Sequence, residues 1–118
     1  MALDAVQRAR HVKETILLIR QSLSDRTLKS LFADPLDWAG YQHLLLIVSE
    51  AARHLPDSWK AESGPDLNWR QIADLANQLR HVYHDVNPSM LWSIYENDLD
   101  PLEAAIDRMI AAHGPRQL

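Results

Sequence analysis

No cysteine occurs among the 118 residues, and glycine is held to three. Without thiols the chain has no disulfide framework, no thiolate metal site and no cysteine nucleophile, and it suits a reducing cytosol. Long apolar runs are missing as well. The longest without a charge, Leu44 to Ser49, falls far below the roughly 20 residues needed to cross a bilayer. The opening MALDAVQRAR lacks the apolar segment of a signal peptide. A soluble, unprocessed, cytoplasmic protein with no membrane association is therefore expected. An excess of positive charge is the third absence. The formal net charge is −4, with six Lys/Arg against three Asp/Glu in residues 1–30 and six against thirteen in residues 31–118. Binding to nucleic acid mainly by phosphate neutralisation needs a dominant positive face, which this balance does not supply. An enzyme that meets RNA briefly remains compatible with it.

What the sequence does have is helical periodicity, with no strand-like alternation. At this length one domain spanning residues 1–118 is expected. Ala5, Val6, Ala9, Val12, Ile16, Ile19 and Leu23 recur every three or four positions, which predicts a long helix over 3–23. A short helix over 25–33 follows, and Leu36, Gly40, Leu44, Ile47, Ala51 and Leu55 trace a second long arm ended by Pro56. Asp34-Pro35 and Asp100-Pro101 each place a capping carboxylate before a proline at the first helical position, and Asn87-Pro88 does the same with an amide. The segment from Pro56 to Leu67 reads as a connecting loop. Asn68, with Gln71 three residues later, caps the helix beyond it. The expected fold is all-α: an up-and-down four-helix-type bundle with extra short helices.

One stretch of that later helix, Leu75 to Asn87, reads LANQLRHVYHDVN. On a helical wheel Leu75, Leu79, Val82 and Val86 share the face expected to pack into the bundle. Asn77, Arg80, His81 and His84 share an arc nearly opposite. The plain interpretation is a solvated face. Such faces are usually built from Lys and Glu, however, whereas Asn and His are poorer helix formers and better explained by a task. His exchanges protons near neutral pH, and Arg holds phosphate. His81 and His84 as a metal pair lack a carboxylate of convincing ligand spacing apart from Asp85, which points off the arc, so neither metal nor cofactor is expected. Tyr83 lies at the edge of the apolar face, where a phenol packs with its hydroxyl at the rim. Glu50, on the second long arm, is a possible ion-pair partner for Arg80 or Arg53.

The run Asn68-Trp69-Arg70-Gln71-Ile72-Ala73, with Asn77, Leu79, His81-Val82-Tyr83, Val86-Asn87, and Leu91-Trp92 through Asn97-Asp98-Leu99, resembles the HepT-like branch of the HEPN superfamily. Ser49-Glu50-Ala51 and Leu55-Pro56 fit it too, and the likeness covers about residues 3–110. The resemblance implies a small all-helical homodimer, encoded beside a minimal nucleotidyltransferase, the two forming a toxin and antitoxin. It implies a metal-independent RNA endonuclease, with tRNA one candidate for the transient substrate, and paired clefts across the dimer interface. Its signature is an Arg, a following polar residue, a His and then a Tyr two further on. Asn77, His81 and Tyr83 take the last three positions, while the Arg position falls on Ala76. Arg80, on the polar arc directly before the His, is the preferred substitute over Arg70. His81, Asn77 and Arg80 are thus the catalytic candidates, with His84 secondary. Tyr83 is the residue on which the nucleotidyltransferase would place AMP. The missing Arg keeps two alternatives open: a non-catalytic, nucleotidyltransferase-binding subunit of the same fold, and a purely structural dimeric bundle.

Overall fold

Capping side chains set most of the joints in the computed structural model, which describes residues 2–81 and 87–114. Helix α1 spans Ala2–Leu23 and buries the expected stripe from Ala5 through Leu23. The short α2, Leu28–Phe32, opens with a reciprocal cap: Ser30 N–H donates to Thr27 Oγ1 at 3.1 Å and Thr27 N–H to Ser30 Oγ at 3.0 Å. That pair satisfies two first-turn donors and starts the helix later than the expected residue 25. Helix α3, Pro35–Arg53, begins as expected, with Asp34 Oδ1 accepting from Asp37 N–H at 3.2 Å.

The expected loop between Pro56 and Leu67 instead contains α4, Asp57–Ser63. α3 ends at Arg53 with His54 as its C-cap, and Pro56, expected to be the terminator, instead stands at the N-cap of α4. Buried Trp59 anchors α4, and Arg108 Nε, from the C-terminal helix packed beside it, donates to the Ser63 carbonyl at 2.7 Å. Gly64 follows because nothing larger fits: a Cβ there would lie 2.7 Å from the Trp69 ring. Helix α5, Trp69–His81, opens with the expected Asn68 cap, its Oδ1 accepting from Gln71 N–H at 3.0 Å.

Asn87 likewise caps α6, Pro88–Ser93, accepting from the Ser89 and Met90 amides. The helix then widens into a π-helical stretch, Ile94–Asp98, and runs directly into α7, Leu99–His113. The start expected at Asp100-Pro101 is therefore misplaced: α7 begins at Leu99, and Asp98 makes no side-chain cap. Pro101 sits in the first turn, where its missing N–H is tolerated. Its ring crowds the carbonyl four residues back, at Asn97, inside the widened stretch.

The molecule is an all-α bundle, as expected. α1 packs on α3 and α7, and α5 packs on the outer side of α3. Ile16, Ile19, Leu45, Leu91, Leu99, Ile106 and Met109 are fully buried in one shared core, each contributing about 1.5–3 kcal/mol. Tyr41 lies among them and donates its hydroxyl to the Leu91 carbonyl. Burial pushes its phenol well above the ordinary range. No helix among the described residues is long and apolar enough to cross a membrane.

Candidate active site

Helix α5 meets α3 along one line of side chains spaced four apart: Ile72, Ala76 and Arg80. At its first level the buried Ser49 hydroxyl donates to the Ile72 carbonyl. At the second, Ala76 is completely buried. At the third, Arg80 Nη1 pairs with Glu50 Oε1. A small residue in the middle lets the two backbones approach closely enough for the hydroxyl of one helix to reach the main chain of the other.

Among the described residues the expected packing face holds, since Leu75 and Leu79 pack against the core, but it is not the most deeply buried one. Leu75 and Leu79 are only half-buried, and the one fully buried residue of α5 is Ala76. Leu75 also lines an open cavity of about 420 Å³, together with Val48, Ile72, Ile94, Leu99 and Leu102. The polar arc does not reach it. Asn77, Arg80 and His81 are absent from its walls.

Along the last turn of α5 the structure brings the polar candidates together. Arg80 Nη2 donates to Asn77 Oδ1 at 3.3 Å, an i, i+3 contact. Asn77 and His81 are both exposed, one turn apart, and His81 is the last described residue of α5. Arg80 is half-buried between them and α3. The site thus offers a proton-exchanging imidazole in solvent beside a guanidinium fixed by two contacts. Tyr83, His84, Val82 and Val86 lie outside the described residues. Of the two Arg partners considered for Glu50, the structure selects Arg80. Reasoning from sequence missed the Ser49 hydroxyl, since a serine inside an apolar helix carries no signal of which carbonyl it will find.

Comparison with known proteins bears directly on this helix. The family model described as "Ribonuclease HepT-like" matches residues 12–109, taking in α3, α5 and the whole polar arc. The chain belongs to the HepT-like ribonuclease family. Among its relatives, a protein of Thermococcus cleftensis named "Probable ribonuclease HepT" is 24% identical over 98 residues, covering 83% of this chain and 88% of the relative. A putative RNase of Caldanaerobacter subterraneus is 21% identical over 100 residues, covering 85% and 88%. A putative RNase of Methanocaldococcus jannaschii is 27% identical over 63 residues, covering 53% and 57%. No solved structure matches the chain. Within this HepT-like chain, Ala76 occupies a sealed position, and the positive charge stands one turn later, at Arg80.

Proposed function

We propose that this HepT-like chain is an RNA endonuclease that works without metal, and that it serves as the toxin of a pair with a minimal nucleotidyltransferase. The supporting observation is the arrangement on the last turn of α5, where Arg80 is braced by Asn77 and Glu50 and exposed His81 follows directly. In the proposed step the ribose 2′-oxygen attacks the adjacent phosphorus and the bond to the 5′-oxygen breaks. His81 exchanges one of the two protons this requires, as base at the 2′-hydroxyl or as acid at the leaving oxygen, and His84 is the candidate for the other. Arg80 offsets the charge that develops on the phosphate, and Asn77 orients the cation. Acid, base and cation are all side chains, so no metal or other cofactor enters the scheme.

The rest of the proposal concerns assembly. Residues 1–118 act as one HepT-like unit, as a homodimer in the cytoplasm, and Tyr83 is the acceptor for AMP from the partner enzyme. A helix polar on one face and apolar on another needs a second surface to form an enclosed cleft in a chain this short. Incubating the purified chain with tRNA or single-stranded RNA tests the chemistry. Wild type should cut with or without EDTA, and His81→Ala should lose 10²- to 10⁴-fold in rate, the usual worth of a general acid or base. Equal rates for the two proteins would end the catalytic proposal.

A second proposal has its own support: Ala76 fills the expected Arg position, and Arg80 is already neutralised by Glu50. On that basis the chain is a non-catalytic subunit that binds the nucleotidyltransferase. It predicts no cleavage by wild type, together with an unchanged mass on incubation with that enzyme and ATP, where the toxin proposal expects a gain of one AMP at Tyr83.

A further inference from the structure

Glu50 faces α5 from α3, and its Oε1 is sealed from solvent with Arg80 Nη1 as its ionic partner. The two side chains differ little in overall exposure, Arg80 at 37% and Glu50 at 32%. Both side chains therefore lie at the rim of the α3–α5 contact, with the paired carboxylate oxygen turned inward. If Arg80 left, that sealed oxygen would lose its ionic partner, which is costly for an oxygen water does not reach. The pair is therefore a fixed support. A guanidinium carries five N–H donors in a rigid plane, so contacts to Glu50 and Asn77 still leave it capacity for phosphate oxygens.

We propose that Glu50 is the positioning residue of this site. It holds Arg80 against α3 and aims its remaining donors at an RNA phosphate, so that a cation displaced by one turn from Ala76 can still serve the site. The inference rests on the ribonuclease proposal above. It makes a counter-intuitive prediction. If Glu50 were only a neighbouring negative charge, removing it would strengthen RNA binding. As a support, its removal releases Arg80, and the phosphate contact is lost.

The two effects separate in the protein labelled with ¹⁵N-arginine, using a 2′-O-methyl RNA oligonucleotide that cannot be cleaved. The Arg80 Nε–H signal is identified by its absence from Arg80→Lys. In wild type this signal should shift on saturation with the RNA. Glu50→Gln, which keeps the length of the side chain and an oxygen facing Arg80, should keep the shift. Glu50→Ala should lose it and bind the RNA about tenfold more weakly, the worth of one charge-assisted hydrogen bond. Should Glu50→Ala fail to fold by circular dichroism, Glu50→Asp replaces it, since it keeps the charge but lacks the reach, and the same loss is expected. A Glu50→Ala or Glu50→Asp protein that responds like wild type overturns the assignment. So does a Glu50→Gln protein as impaired as Glu50→Ala. A wild-type signal that ignores RNA overturns the ribonuclease proposal itself, and the role of Glu50 falls with it.

Discussion

Ala76 decides where positive charge can sit on α5. Its side chain is fully buried, one turn beyond the carbonyl that receives the Ser49 hydroxyl of α3. Restoring an arginine there, the natural step from sequence alone, would force a guanidinium into a seam closed around a methyl group. Ala76→Leu should therefore cost about 1–3 kcal/mol by overpacking, and Ala76→Arg more than Ala76→Leu. Urea unfolding of the three proteins checks this; unchanged midpoints would mean that the seam yields. The substitution itself is legible in the sequence as a departure from the HepT-like pattern. Its burial is not, because alanine is neutral on a helical wheel and Leu75 and Leu79 drew the apolar face toward themselves. Asn77, Arg80 and Glu50 were within reach of sequence reasoning because charge and spacing mark them. The Asn77–Arg80 contact follows from i, i+3 spacing, whereas the choice of Arg80 over Arg53 for Glu50 depends on how α5 packs against α3, which no local pattern encodes.

At the scale of helices, α1 and α7 are joined by a network of ion pairs laid over their apolar contact. Lys13 Nζ lies 2.6 Å from Glu103 and 2.9 Å from Asp107, and Arg20 reaches both Glu103, at 2.9 Å, and Asp100. Hydrogen bonding to Lys13, with further help from Arg20, holds the Glu103 carboxyl below its ordinary 4.5. A carboxyl lowered in the folded state adds stability above its unfolded pKa and loses it as pH falls through the folded value. The bundle should therefore weaken on the acid side of about pH 4.5. Glu103→Gln should lower neutral-pH stability by about 1 kcal/mol, the pair being partly solvated, and should flatten that acid limb. Thermal melts from pH 3 to 7 provide the measurement; parallel pH profiles for both proteins would deny Glu103 this part.

The joints between helices divide by the clarity of their signals. Asp34, Asn68 and Asn87 cap where their side chains and spacing say they should. Helix α4 was hidden because Pro56 reads as a terminator, and its anchor, Trp59, has no periodic neighbours in so short a helix. The true start of α7 was hidden because a proline after an acid resembles an opening, while the chain reaches it through a π-helical stretch.

For the whole molecule, the all-α bundle was legible from periodicity alone. Its assembly is a separate matter. Ile72, Leu75 and Leu79 remain half-buried in one copy, and Met90, 41% exposed, shares the cavity wall with Ile72 and Leu75. A homodimer in solution is expected, burying more than about 1,000 Å² in total. Light scattering at micromolar concentration that finds only a 13.5 kDa species would remove it. The proposed chemistry depends most on one point, that Arg80 does the work Ala76 cannot. The direct measurement is the single-turnover cleavage rate of one RNA by wild type, His81→Ala and Arg80→Ala. Both variants should fall together by about 10²-fold or more, because the proton and the cation serve one transition state. Cleavage by Arg80→Ala at the wild-type rate, with His81→Ala inactive, would contradict it.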